Sequence, residues 1–457
     1  MDQSGTSDVD EPVSGDSEEV QFDLFGMPMA VAATPPGALG APAANVPTTQ
    51  AGGSSAERRR SSSRTKSVDA ASLWPDEDEV SDLATDDLVS EVGETPAATP
   101  APKKRRSRDV LPAPPSDELA ALASQLPPQV HLGTSTWSFP GWNGIVYGDE
   151  YSKTKLSRDG LGAYGAHPLL KTVSIDRSFY SVLTVTEYLR YAQQVPEHFR
   201  FIVKAPMTIT DATVRAERGE PVSLNPCFLN AQMAIDDFVT PCLEGLGPKA
   251  GALVFQLSPL PDQMLAQPAA FIERLAAFLT ALPALPDGTC YAIEIRDASL
   301  LTPRFIRTLK TAGVRYCVGI HARMPDPLRQ AAALALLDGE PAGPLIVRWS
   351  LHGGFKYEQA KAKYEPFDRL IDEDPSTRAS LAELAARYAF AGQPVVIAVN
   401  NKAEGSAPLS CVELARAIVE AYSRIAHEPE PEPEPEHEPE ISPPEPGAQT
   451  SDETSPP

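Results

Sequence analysis

Tyr291-Ala292-Ile293-Glu294-Ile295-Arg296-Asp297, reading YAIEIRD, is apolar enough for a buried strand yet carries an acid and a base two positions apart. In a strand, residues i and i+2 point to the same face. Glu294 and Arg296 therefore share one face of an otherwise hydrophobic segment. An unpaired buried charge costs several kcal/mol or titrates until it is neutral. The two are thus paired inside the fold, solvated at its edge or employed in chemistry.

Seven further segments share the β-branched, apolar character of this one. They are Val130–Ser135, Leu170–Asp176, Arg200–Pro206, Ala252–Ser258, Val314–Ile320, Pro344–Ser350 and Pro394–Asn400. Helix-like stretches lie between them, among them Val185–Gln194, Pro268–Ala281, Thr302–Ala312 and Ala379–Ala391. Near-continuous apolar strands alternating with helices indicate a parallel sheet covered on its outside. Eight such units predict an α/β fold, a TIM-like (β/α)8 barrel. A doubly wound open sheet is the alternative, but no GxGxxG follows the first strand.

The charge is unevenly spread over the 457 residues. Residues 1–128 carry −12, residues 129–427 carry −1 and residues 428–457 carry −10, which accounts for the total of −23. The middle is a nearly neutral body large enough for one sizeable core. We expect residues 1–125 to be a disordered acidic, Pro- and Ser-rich tail, because so few apolar groups cannot offset the entropy of ordering. Residues 126–427 form the barrel in this reading, and residues 428–457 a second disordered tail stiffened by alternating Glu and Pro.

Two basic clusters interrupt the first tail, Arg58–Arg60 with Arg64 and Lys66, and Lys103–Arg106 with Arg108. They suit nucleic acid or another polyanion, or are solvated patches balanced by acidic neighbours. Val20–Met29 and Ser72–Val92 are apolar spots among acids that would suit partner docking, with no partner indicated. The five scattered cysteines form no CxxC pair, which favours a reducing compartment. With no basic-plus-apolar leader and no long apolar run, the expected location is cytoplasmic, away from membranes.

In a barrel of this type the site lies at the C-terminal ends of the strands. The residues there are Thr134, Ser135, Asp176, Lys204, Gln256, Glu294, Arg296, His321, Arg348, Asn400 and Asn401. Loops at the same end add Trp137, Trp142, Phe179 and Tyr180. Each has a bland explanation alone: a lysine snorkels, two asparagines make a turn, tryptophans fill a core. Together, three cations, two carboxylates and several rings describe a binding cleft.

The same residues resemble the DUF72, or YecE-like, family over roughly residues 130–422. The landmarks are Gly133-Thr134-Ser135-Thr136-Trp137-Ser138-Phe139 with Trp142, then Ser174-Ile175-Asp176-Arg177-Ser178-Phe179-Tyr180 and Phe201-Ile202-Val203-Lys204-Ala205-Pro206. They continue with Leu246-Gly247-Pro248 and Leu253–Leu257, then Ile293–Asp297, and finally Val399-Asn400-Asn401 with Gly405, Ala407 and Pro408. The resemblance implies a TIM-barrel-like fold and no particular reaction. The chain departs from the pattern at Ser174, Asp176 and Asp297, where the family has an acid, an Asn and a His.

Four functions follow. The first is an enzyme or binder for a small phosphorylated or carboxylated anion. Here Glu294, Asp176 and Lys204 are the catalytic candidates, and Trp137, Tyr180, Arg296, Arg348, Gln256, Asn400, Asn401 and Ser135 hold the substrate. The second is a two-carboxylate glycoside hydrolase using Asp176 and Glu294, weakened by adjacent cations that would hold both acids ionised. The third is metal-assisted phosphodiester hydrolysis. The histidines are too scattered for a zinc cluster, with only His321 and His352 near strand ends, so no metal site or cofactor is expected beyond one Mg²⁺ on Asp176 and Glu294. The fourth is a non-catalytic scaffold or sensor whose tails recruit partners.

Overall fold

The computed structural model describes residues 109–216, 221–351 and 357–427. Its strands are β1 Val130–Thr134, β2 Leu170–Ile175, β3 Arg200–Lys204, β4 Thr213–Arg215, β5 Pro221–Leu224, β6 Ala250–Gln256, β7 Cys290–Glu294, β8 Arg315–Ile320, β9 Leu345–Trp349 and β10 Val395–Val399. Eight of them close into a parallel barrel in the order β1-β10-β9-β8-β7-β6-β3-β2. The doubly wound alternative is thereby excluded. The expected helices stand at Val185–Gln194, Pro268–Ala281, Pro303–Thr311 and Pro375–Phe390.

Each barrel strand has two buried faces. One face, with Phe201, Phe255, Ile293, Tyr316 and Val347, joins the large apolar layer between sheet and helices. Burying one such side chain contributes about 1.5–3 kcal/mol. The alternate residues Ile202, Ala252, Val254, Ala292, Cys317, Ile346, Val396 and Ala398 fill the barrel interior. One step further along four of the strands, the same inward face turns polar. It carries Lys204 on β3, Gln256 on β6, Glu294 on β7 and Arg348 on β9. The period of two thus places a polar layer on top of a small apolar one.

Gly133 and Gly319 make room for this arrangement. A Cβ at Gly133 would lie 1.7 Å from the Thr172 carbonyl oxygen, where the pairing of β1 with β2 slips register. A Cβ at Gly319 would stand 3.2 Å from Glu294 Oε1, so β8 leaves the notch in which that carboxylate sits.

Residues 109–125 were expected in the first tail. They belong instead to the folded body: Ala113 N–H donates to Val146 O at 2.9 Å, and Gly148 N–H to Leu111 O at 2.9 Å. A helix follows at Asp117–Gln125, capped by Ser116 and packed through Leu119 and Leu122 against the core. Two leucines three apart on one helical face outweigh the Pro- and Ser-rich average of the segment. The basic clusters, the two apolar docking segments, the rest of the first tail and the tail from Glu428 lie outside the described residues, as does His352. The antiparallel hairpin β4–β5 was not anticipated from the sequence. Among the described residues no helix is long and apolar enough to cross a membrane.

Candidate functional site

The side chains singled out at the strand ends converge on Arg348. Its Nη1 donates to Glu294 Oε2 at 2.8 Å and to Gln256 Oε1 at 2.9 Å. Its Nη2 forks onto Asp176, 3.0 Å from Oδ1 and 2.8 Å from Oδ2. One guanidinium from β9 therefore bridges acids from β7 and from the end of β2. Arg296 approaches from the other side, its Nη2 2.7 Å from Glu294 Oε1 and 3.0 Å from Gln256 Oε1. Ser174, two residues before Asp176 and on the same face, donates to Asp176 Oδ1 at 2.6 Å.

Burial makes this network electrostatically strong. Glu294 is fully buried, and Arg348, Lys204 and Arg296 are 4 %, 5 % and 8 % exposed. Burial alone would push the Glu294 carboxyl up, but Arg296 and Arg348 outweigh it and hold the group below its usual range. Burial also opposes the charge on Arg348, and Asp176 and Glu294 more than compensate, raising it above the ordinary guanidinium value. Arg296 is drawn below its usual value, chiefly by burial against the pull of Glu294.

Lys204 is differently placed. Its Nζ sits 3.5 Å above the centre of the Phe179 ring and has no hydrogen-bond acceptor among the described residues. Burial, helped by the charges of Arg348 and Arg296 and opposed by Asp176, brings the ammonium down to about 7. Further donors accompany it, since Arg296 Nη1 and Arg348 Nε are buried with no hydrogen-bond partner among the described residues.

Asp176 also opens the network toward solvent, with 28 % of its side chain exposed. It lines a cavity of about 60 Å³ together with Ser135, Trp137, Phe139, Tyr180 and Tyr191. Trp137 is held there by its indole N–H, which donates to Leu156 O at 3.1 Å, and by an edge contact with Tyr191. The site therefore has a charged floor and an aromatic side pocket that meet at Asp176.

Other expected residues stand apart from the charge network. Asn400 is in the turn after β10, its Oδ1 accepting from Lys402 N–H at 2.9 Å. Asn401 Oδ1 accepts from Ala407 N–H at 2.8 Å, at the start of the helix Ala407–Ala426. Thr134 is tied to Tyr164 through its hydroxyl, and Trp142 is fully buried against Phe139. His321 is pushed down to about 3 by burial and by Arg296, so it is neutral at physiological pH. Asp297 accepts from Leu260 N–H and Arg323 and braces the rim. Asn401→Ala is expected to cost about 0.5–2 kcal/mol, as other lost N-terminal helix caps do. A lowered urea midpoint with an unchanged slope would register it.

Gly319 and Tyr191 were not expected at the site, and Ser174 was noted only as a departure from the family pattern. Ser174 was legible as the same-face neighbour of Asp176, and Gly319 as a glycine inside a strand. Tyr191 lies on a helix, and no local pattern aims it at the cavity.

No group of three or more His, Cys, Asp or Glu side chains among the described residues is arranged to hold a metal ion. A closed parallel barrel with an interlocked layer of acids and bases at the C-terminal ends of its strands defines a TIM-like fold built around a buried polar site. The chain belongs to the DUF72 family, whose model, described as "Protein of unknown function DUF72", matches residues 131–436. It is similar to a solved DUF72 family protein of Enterococcus faecalis V583, at 17% identity over 64% of this chain and 95% of that one, with a TM-score of 0.41. A DUF72 family protein of Thermotoga maritima MSB8 is 18% identical over 63% of this chain and 98% of that one, with a TM-score of 0.43. No curated protein matches the chain.

Proposed function

We propose that the mouth of the barrel binds a small phosphorylated or carboxylated compound and that the protein acts on it as an enzyme. The observation that carries this reading is the surplus of cationic donors. Among the described residues Lys204 has no acceptor and Arg296 Nη1 and Arg348 Nε have no partner, and all three residues are more than nine-tenths buried. Buried donors without acceptors are costly unless a ligand completes them. An oxyanion supplies several acceptor oxygens and one compensating charge. The aromatic pocket would take the uncharged part of the same molecule, with Trp137 and Tyr180 at its walls.

The hydrolase alternatives fit less well, because Arg348 already lies between their two carboxylates. A guanidinium bridging the two acids weighs against a Mg²⁺ ion or a sugar held between them. Free thiols, with Cys242, Cys317 and Cys411 buried, favour the cytoplasmic reading.

The test is calorimetric titration of the full-length protein with inorganic phosphate and with pyruvate, at several pH values and in two buffers of different ionisation enthalpy. The apo lysine titrates near 7, and a bound anion raises that value. Binding above neutrality therefore takes up a proton, approaching one per site by about pH 8, and affinity falls by up to about tenfold per further pH unit. In Lys204→Met the uptake disappears and affinity drops by roughly 10–100-fold, the worth of one charge-assisted hydrogen bond. Binding that ignores both pH and Lys204 would defeat the proposal.

A further inference from the structure

We propose that Lys204 is the nucleophile of an imine-forming site whose substrates are small carbonyl compounds bearing an acid group, of the 2-oxo acid type. The inference rests on the anion-binding reading above and gives it a substrate class.

An imine-forming amine needs a free lone pair, a proton carrier, a seat for the cation it becomes and an anchor for the substrate. Lys204 Nζ is committed to no acceptor among the described residues. The burial that sets its proton affinity near 7 leaves a large share of it as the neutral amine at physiological pH. Asp176 is the strongest opposing charge on Lys204 and also lines the cavity from which a substrate would arrive. The Phe179 face, 3.5 Å from Nζ, already accommodates a cation, and an iminium formed there keeps that charge. Arg296 Nη1 and Arg348 Nε, buried donors with no partner among the described residues, would receive the carboxylate of the substrate.

The step balances without a co-reactant. The Nζ lone pair adds to the carbonyl carbon as the C=O π pair moves onto oxygen. Asp176 takes a proton from nitrogen and delivers it to that oxygen, giving a carbinolamine. The hydroxyl takes one further proton from solvent and leaves as water, while the nitrogen lone pair closes the C=N bond. Amine, carbonyl compound and one proton become iminium and water.

Borohydride reduction makes the intermediate permanent. Full-length protein is incubated with pyruvate and sodium borohydride, and adducts are mapped by peptide mass spectrometry. The expected result is a dominant reduced pyruvyl adduct on Lys204 that inorganic phosphate suppresses. It is absent from Lys204→Arg and from protein unfolded in urea. Should Lys204→Arg fail to fold, the phosphate-protection arm on the unaltered chain decides alone. Adducts spread over surface lysines as in unfolded protein, or none on Lys204, overturn the imine. Proton-linked phosphate binding without any Lys204 adduct overturns the imine and leaves the anion site standing. Failure of both removes the two together.

Discussion

Arg348→Met is expected to lower stability by about 3–5 kcal/mol, the usual cost of removing one partner from a buried ion pair. For a barrel of this size each kcal/mol corresponds to roughly 2–4 °C, so the melting temperature should fall by about 6–20 °C. The cause is specific. The guanidinium is the common partner of Glu294, Asp176 and Gln256, and Glu294 has no exposure through which water could replace it. With Arg348 gone, Arg296 and the weaker Lys204 are the cations left acting on Glu294, and its carboxyl shifts upward because burial regains the balance. The loss is therefore greatest where Glu294 stays ionised and shrinks as pH falls and the carboxyl takes a proton. Scanning calorimetry from neutral pH downward measures it. A drop of less than about 1 kcal/mol at neutral pH would mean that the pair is solvated rather than buried.

Gly133→Ala should be comparably damaging for an unrelated reason. The new methyl would lie 1.7 Å from Thr172 O and 2.5 Å from Thr172 C, both backbone atoms that cannot rotate away. The strands would have to separate at the point where β1 closes the barrel against β2. Overpacking of cores typically costs 1–3 kcal/mol, and here the loss should reach about 3 kcal/mol or more, because the obstacle is main chain. Gly162→Ala is the control, since its Cβ meets nothing closer than 3.6 Å. In its helix, that change should be neutral or gain about 0.5–1 kcal/mol. Soluble yield and urea midpoints of the two variants separate these outcomes, and a benign Gly133→Ala would mean that the β1–β2 register is looser than described.

The barrel was legible because its evidence is repeated. Eight apolar segments with intervening helical patterns leave few topologies, and all eight emerged as barrel strands within three residues of their expected limits. The charge network was half legible. Glu294 and Arg296 were visible as same-face neighbours, and Lys204, Arg348 and Gln256 as polar ends of apolar strands. What the sequence could not convey is that Arg348 is the hub, since Asp176 lies 172 positions away and no local pattern encodes that pairing. The asparagines show the converse limit. Polar residues at the end of β10 look like ligand contacts in one dimension, and no local pattern shows that their Oδ1 atoms also serve a turn and a helix start. The segment 109–125 was misread because composition averages over a helix that only Leu119 and Leu122 reveal.

The hairpin β4–β5 has a consequence for handling the protein. A closed barrel offers no unpaired strand edge, so its backbone donors and acceptors are unavailable to other chains. The hairpin is the one sheet among the described residues with open edges, and it presents Val222 and Leu224 at 68% and 61% exposure. Alternating apolar side chains on a free strand are the recipe for edge-to-edge aggregation. The hairpin is therefore a self-association hazard at high concentration, and Val222→Lys should lower concentration-dependent light scattering without touching the site.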